Sequence, residues 1–204
     1  MNSYHEIFAG ILYFNRAVSL SETHISLVKK IKRISMNEYI RPSKDQSFME
    51  IAVAVSMRST CLRRRYGAVI VSKDGRIVST GYNGAPRHRA NCVDLKECLR
   101  EKCQIKPGTH YELCRAVHAE ANAIINGNPL DIVGGTLYLA GTDAATNSRT
   151  RQMRPCSMCQ RLILNAQIAK VVMRDVDGNL VYSDPLTWED DLPERIAKEL
   201  GQTL

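Results

Sequence analysis

Residues 66–84 read YGAVIVSKDGRIVSTGYNG, and this stretch decides the fold. Its first part, 66–72, is a short run rich in β-branched and apolar residues, which is typical of a buried strand. A KDG turn follows, and RIVSTGYNG at 76–84 returns as the second strand of a β-hairpin. The stretch therefore predicts the antiparallel start of a sheet.

Helical and strand patterns alternate on both sides of this hairpin. Upstream, DQSFMEIAVAVSMRST at 45–60 has apolar residues at helical spacing, with Asp45 or Ser47 as the expected N-cap. Downstream, the patterns predict a helix at 117–127, a strand at 135–141, a helix at 155–167, a strand at 169–175, a short strand at 180–183 and a final helix after Pro193. This order predicts an α/β fold, a three-layer α/β/α sandwich around a mixed sheet of about five strands.

The chain has 204 residues, enough for one domain with a sizeable core and a short appendage. We expect a peripheral extension at 1–45, a compact domain at 46–185 and a helical tail at 186–204. The extension contains a candidate amphipathic helix and no motif. Met36 is an alternative translation start, and detection of peptides that begin at Met1 would exclude it.

Composition narrows the class of protein. No apolar run reaches the roughly 18 residues that cross a membrane, and we expect neither a membrane partner nor a signal peptide. The net charge of +7 suits an anionic ligand, although a merely basic surface has the same charge. Seven cysteines, an odd number, favour metal ligation in a reducing compartment, the cytoplasm, over a disulfide framework.

Two short motifs together indicate a zinc site. PCSMC at 155–159 places Cys156 and Cys159 three residues apart at the start of a helix, where free N–H groups favour thiolates. His118 supplies a third ligand, which leaves the fourth position of a catalytic zinc for water. Glu120 is suited to accept the proton of that water, provided that it lies in the first helical turn. Either motif alone is weak, since a lone C-x-x-C is often a redox pair.

These motifs resemble the zinc-dependent cytidine deaminase superfamily, whose pattern is H-x-E followed by P-C-x-x-C. HAEANAI at 118–124 and PCSMC at 155–159 carry the resemblance. GAVIVSKDGRIVSTGYNGAP at 67–86 makes the deoxycytidylate (dCMP) deaminases the most similar group. The similarity extends from about Ser47 to Asp175.

The resemblance implies hydrolysis of dCMP to dUMP and ammonia for thymidylate supply, by attack of a zinc-activated water on C4 of cytosine. It implies that His118, Cys156 and Cys159 bind Zn²⁺ and that Glu120 transfers protons. It also implies that Asn83 and the backbone N–H of Ala119 contact the nucleotide. Members are often homo-oligomers, and several are regulated by dCTP and dTTP with Mg²⁺.

The remaining cysteines suggest a second, structural zinc, as some dCMP deaminases have. The best set of four ligands is Cys61, Cys92, His110 and Cys114, with Cys98 and Cys103 as competitors for the second ligand. A closed site would stabilise the long segment 85–110. The alternative is a group of idle thiols. Because one continuous helix through His110, Cys114 and His118 would crowd two metals, two zincs require a break after Cys114.

Two basic segments bear on the choice of substrate. The connection at 142–153 is longer than is usual in dCMP deaminases, and it contains Arg149, Arg151 and Arg154. Its arginines, like LRRRYG at 62–67, fit either a phosphate contact or a solvated surface.

Three other functions remain alternatives to dCMP deamination. They are deamination of another nucleoside or base, deamination of tRNA adenosine, and a non-catalytic zinc protein that binds nucleotides or DNA in DNA uptake. An aromatic content of 6% disfavours a nucleic-acid partner, which would need side chains to stack bases. Glu120 disfavours a purely structural zinc.

Overall fold

A computed structural model describes residues 40–150 and 154–188, together with residues 197 and 201. The chain divides into two compact units, 1–41 and 42–204. The helix predicted before residue 40 lies outside the described residues, as does most of the helix predicted after Pro193. The limits of the extension, the domain and the tail therefore stay predictions.

The described part of the second unit alternates helices and strands. In chain order the elements are α1 (Lys44–Ser56), β1 (Arg64–Val71), β2 (Ile77–Tyr82), α2 (Cys92–Leu95), α3 (Leu99–Lys102), a 3-10 helix (Tyr111–Leu113), α4 (Ala119–Asn126), α5 (Pro129–Ile132), β3 (Thr136–Asp143), α6 (Ser157–Asn165), β4 (Lys170–Arg174), β5 (Leu180–Ser183) and a second 3-10 helix (Pro185–Thr187). No helix that this part of the chain forms has the length and apolar character to span a membrane.

The strands form one mixed sheet in the order β2-β1-β3-β4-β5. The β1–β2 hairpin, the β1–β3 pair and the β4–β5 pair are antiparallel. β3 and β4 are parallel because α6 carries the chain across one face of the sheet between them. The predicted five-stranded mixed sheet is confirmed.

Both faces of the sheet are covered, which makes the fold three-layered as predicted. Met49 and Ala52 of α1 pack on one face, and Ala119 and Ala123 of α4 and Ile163 of α6 pack on the other. β1 serves both cores because its side chains alternate between the faces. Its buried residues divide accordingly into Ala68 and Ile70 on the α4–α6 side and Val69 and Val71 on the α1 side.

Two glycines let the helices approach the hairpin closely. A Cβ atom at Gly67 would lie 2.2 Å from the Ala52 carbonyl oxygen of α1. A Cβ atom at Gly81 would lie 2.3 Å from the Ala123 nitrogen of α4. Real side chains do not tolerate such distances from backbone atoms, so the hairpin sequence fixes how near both helices lie.

Several predicted boundaries differ from the structure, and two of the differences have a clear physical reason. The N-cap of α1 is Ser43, not Asp45 or Ser47, because the Ser43 side chain and Gln46 form a reciprocal capping box. Asp45 instead accepts hydrogen bonds from the hydroxyls of Tyr138 and Tyr182. β3 extends to Asp143, two residues beyond its predicted end, because it pairs with β1 along its whole length.

Candidate active site

His118 and Glu120 occupy different positions at the start of α4. His118 is the N-cap, with extended backbone (φ −72°, ψ 157°), so it lies just outside the helix. Glu120 is the second helical residue, and only 5% of its surface is exposed. Since the two residues do not share one regular helix, their spacing of two does not force their side chains to opposite sides. The first-turn position expected for Glu120 is confirmed.

The start of α6 presents the two thiols. Cys156 is its N-cap, also with extended backbone (φ −65°, ψ 159°), and Cys159 is its third residue. The first N–H groups of a helix have no partner within it, and together with the helix dipole they favour negative charge. Cys159 is 1% exposed. The helix start therefore favours negative charge on the pair of thiols, and water has little access to Cys159.

The two helix starts bring three donor atoms together. The Sγ atoms of Cys156 and Cys159 lie 3.3 and 3.4 Å from Nδ1 of His118. All three donor atoms lie within 4.8 Å of one another, and no other His, Cys, Asp or Glu trio among the described residues does so. One imidazole nitrogen and two sulfurs are a donor set that zinc prefers, and three ligands leave a position open. The residues therefore fit a catalytic zinc.

The protonation equilibria reflect this proximity. The adjacent Cys159 thiol and the His118 side chain lower the pKa of Cys156 to about 4. The same pairing, together with burial, raises the pKa of Cys159. Burial disfavours the charged form of His118, but its hydrogen bond to Cys156 and the charge of Glu120 more than offset this and raise its pKa. The three donors are thus electrostatically coupled.

Burial also raises the pKa of Glu120, against the opposing effect of His118. A carboxyl group in such an environment holds a proton more readily than one in water. This property suits a residue that must both accept a proton and return it.

The four-residue step from His110 to Cys114 is not helical, and the prediction of a helical ligand pair there is wrong. His110 has a left-handed backbone (φ 47°) and precedes a 3-10 helix, and Cys114 ends that helix in extended conformation. The Nδ1 atom of His110 lies 3.1 Å from the Glu112 carboxylate. Residues 114–118 do not continue as an α-helix, so the expected break before His118 is present.

The four predicted ligands of a second zinc, Cys61, Cys92, His110 and Cys114, are not gathered as a compact set. Among the described residues, no three of their donor atoms lie within 4.8 Å of one another. The thiols are nevertheless neighbours: besides burial, the charges of Cys61, Cys114 and Cys98 raise the pKa of Cys92. Of the two competing cysteines, Cys98 is half-buried and Cys103 is exposed.

The two predicted substrate contacts lie at the site. Ala119 is completely buried, and its N–H belongs to the first turn of α4. The Asn83 side chain is tied to β1: its Oδ1 accepts from the Tyr66 N–H at 2.7 Å, and its Nδ2 donates to the Arg64 carbonyl at 2.8 Å. Asn83 therefore fixes the start of β1 in addition to lining the site.

A cavity of about 520 Å³ joins these residues. Its lining includes His118, Ala119, Glu120, Cys156 and Asn83. It also includes four arginines from three segments of the chain: Arg63, Arg64, Arg100 and Arg149. The cavity is thus large enough for a nucleotide-sized ligand and is bordered by positive charge.

The sequence did not indicate Arg100, which supports the His118 ring through Tyr111. Arg100 is 5% exposed, and its guanidinium donates to the carbonyls of Thr109 (2.5 Å) and His110. It lies over the Tyr111 ring, 5.0 Å from the ring centroid, and the Tyr111 ring in turn meets the His118 ring edge-on at 5.4 Å. Arg100 occurs in the charged run ECLREK, where nothing distinguishes it from solvated neighbours.

A three-donor metal site beside a buried carboxylate, set on two helix starts over a mixed sheet, defines a zinc-dependent hydrolase of nucleotide-sized ligands. Residues 42–174 match the family model of the cytidine and deoxycytidylate deaminase zinc-binding region. The chain belongs to this cytidine and deoxycytidylate deaminase family.

Individual relatives agree with this membership. The chain is 41% identical over 137 residues to a deoxycytidylate deaminase of Mycobacterium phage D29, which covers 65% of this chain and 94% of the relative. It is 36% identical over 143 residues to that of Saccharomyces cerevisiae, which covers 69% of this chain but 40% of the yeast protein. A crystal structure of dCMP deaminase from cyanophage S-TIM5 with dCMP and dUMP is 27% identical, with a TM-score of 0.45, covering 67% of this chain and 85% of that one.

Proposed function

We propose that this protein hydrolyses dCMP to dUMP and ammonia, as a step of thymidylate supply in the cytoplasm. One observation carries the proposal: Glu120 is buried beside the His118, Cys156 and Cys159 donors in a cavity with a basic border. The names of the phage and yeast relatives support the choice of dCMP as substrate.

His118, Cys156 and Cys159 would hold the zinc ion. When bound, zinc supplies a polarised water as nucleophile for C4 of the cytosine ring. The reaction adds one water and releases one ammonia, so protons must move from the water to ring nitrogen N3 and to the leaving amine.

Glu120 performs this transfer. Its carboxylate takes the proton from water and returns it to the substrate, first as base and then as acid. Because burial raises the pKa of Glu120, its carboxyl group becomes protonated more readily than an exposed one. The N–H of Ala119, which has no partner within α4, is available to the pyrimidine.

An ultraviolet assay with dCMP, dCTP, deoxycytidine and cytidine tests the substrate. We expect turnover of dCMP, and turnover of another compound without dCMP would refute the assignment. In Glu120→Ala we expect unchanged zinc content and a loss of activity of about 10²–10⁴-fold or more, the usual contribution of a general acid–base. Activity near that of the wild type would contradict the proton transfer.

We further propose a structural zinc on Cys61, Cys92, Cys98 and Cys114. The charges of Cys61, Cys98 and Cys114 all act on Cys92, which supports the choice of these four thiols. No three of their Sγ atoms lie within 4.8 Å of one another, so the zinc would have to draw them together. His110 is not included because it is exposed and paired with Glu112. Elemental analysis should find two zincs per chain in the wild type and one in Cys92→Ser. One zinc in the wild type would end the proposal.

We also propose a homo-oligomer, supported by the exposed apolar side chains of Ile125 and Leu130 at 72% and 86%. Light scattering of the purified protein should give at least a dimer mass. Regulation by dCTP and dTTP with Mg²⁺ stays a prediction.

A further inference from the structure

The connection between β3 and α6 is an ordered structure as far as Thr150, not an open loop. After β3 the chain reverses, Thr142 pairs with Arg149, and the Asp143 N–H donates to the Ser148 carbonyl at 2.8 Å. Asp143 Oδ1 stabilises the turn by accepting from the N–H groups of Ala145 and Thr146. We call residues 143–150 the hairpin loop.

Three consecutive residues of β1 hold the hairpin loop in place. Arg64 forms an ion pair with Asp143, and Arg65 donates to Oδ1 of Asn147 at 2.9 Å. The hydroxyl of Tyr66 is hydrogen-bonded to the Thr150 side chain. Residues 145–149 are exposed, so these three contacts, rather than burial, fix the position of the hairpin loop. The hairpin loop is therefore a fixed wall of the cavity, which Ser148, Arg149 and Thr150 line.

The arginines that line the cavity differ in their partners. Arg63 is paired with Glu101 at 3.0 Å, and Arg64 with Asp143. Arg100 is occupied by backbone carbonyls. For Arg149, no carboxylate of the described part of the chain lies within 4.0 Å; its guanidinium donates to the Val176 carbonyl at 3.4 Å. Arg149 thus brings to the cavity a positive charge that is not paired with any acid of residues 40–150 and 154–188.

The position of the Arg149 guanidinium is also defined. Its atoms lie against Gly178 in the β4–β5 turn, where an added Cβ atom would be 3.3 Å from Cζ. A guanidinium has five N–H donors in a planar fork that matches phosphate oxygens. With one weak bond to Val176, most of these donors remain for a ligand.

We propose that Arg149 binds the 5′-phosphate of the substrate and makes the enzyme selective for the nucleoside monophosphate over the nucleoside. This assignment rests on the proposed deaminase function. Arg149 is a specificity residue: it contacts the phosphate, whereas the reaction takes place at the His118–Glu120 end of the cavity.

The experiment compares dCMP and deoxycytidine as substrates of the wild type, Arg149→Gln and Arg76→Gln. Arg76 is a matched control, because it carries the same charge on the exposed β1–β2 turn and pairs there with Asp74. For Arg149→Gln we expect the KM for dCMP to rise about 10- to 100-fold, the equivalent of one charge-assisted hydrogen-bonded contact. We expect the kcat for dCMP and both kcat and KM for deoxycytidine to stay close to the wild-type values. The Tm should also be unchanged.

Each outcome separates the two proposals. If the wild type turns over neither compound, the deaminase function fails, and the Arg149 assignment fails with it. The assignment is wrong, while deamination stands, if the wild type is active but Arg149→Gln leaves the KM for dCMP unchanged. The same conclusion follows if Arg149→Gln raises the KM values for dCMP and deoxycytidine equally. Arg76→Gln should match the wild type, and an equal rise in its KM would assign the effect to overall charge.

Discussion

Gly81→Ala should disturb catalysis through packing alone. The added Cβ atom would lie 2.3 Å from the Ala123 nitrogen and 2.4 Å from the Ala119 carbonyl oxygen. Ordinary contact begins near 3.4 Å, so α4 must move by about 1 Å. His118 and Glu120 lie at the start of that helix, and a misplacement of 1 Å can cost about 10²-fold in rate.

The same overpacking should lower the free energy of unfolding by about 1–3 kcal/mol. For a protein of this size that is a fall in Tm of about 2–12 °C. Calorimetry and the dCMP assay, at a temperature where each variant is folded, measure the two effects separately.

Gly67→Ala is the matched control. Its Cβ atom would meet α1 on the opposite face, 2.2 Å from the Ala52 carbonyl oxygen. We expect a similar fall in Tm with kcat/KM within about threefold of the wild type, because α1 carries none of the site residues. If Gly81→Ala keeps both its Tm and its kcat/KM, or if both variants lose activity equally, the argument that Gly81 positions α4 is wrong.

Two further outcomes follow from the site. Arg100→Met removes the guanidinium donor of the Thr109 carbonyl and one of the two donors of the His110 carbonyl, which also accepts from the Leu113 N–H. It should lower the free energy of unfolding by about 1–3 kcal/mol in chemical denaturation. Arg100→Lys should restore less than half of this loss because lysine lacks the planar fork. Full recovery in Arg100→Lys would show that charge alone is needed there. Removal of zinc by a chelator should abolish activity and lower the Tm, because the metal binds the folded state; an unchanged Tm would contradict ligation by His118, Cys156 and Cys159.

The local elements were predictable where a strong pattern and a clear stop coincide. The hairpin at 66–84, the helix after His118 and the helix after Pro155 were predicted at or near their observed limits. Propensity did not separate Ser43 from Asp45 as the cap of α1, because both residue types cap helices equally well. Asp45 is instead engaged by two tyrosines from β3 and β5, contacts between residues far apart in the chain.

The grouping of the His118, Cys156 and Cys159 donor atoms was predictable because each motif lies at a helix start, where local geometry already directs its side chains. The spacing of four between His110 and Cys114 did not predict the local backbone, because such a spacing implies a shared face only within a helix, and the chain there turns through a left-handed residue instead. The role of Arg100 had no sequence signal, since its partners are backbone carbonyls and an aromatic ring rather than a charge of opposite sign.

The sequence by itself determined the order of helices and strands, the cytidine deaminase motifs and the basic character of the chain. These features depend on residues close together in the chain, whose spacing sets local conformation. Tertiary structure alone decided which cavity arginine has no acidic partner among the described residues, which residue supports His118, and how the 143–150 segment folds against β1. Each of these depends on pairs brought together by the sheet, and such contacts form only when the core is closed.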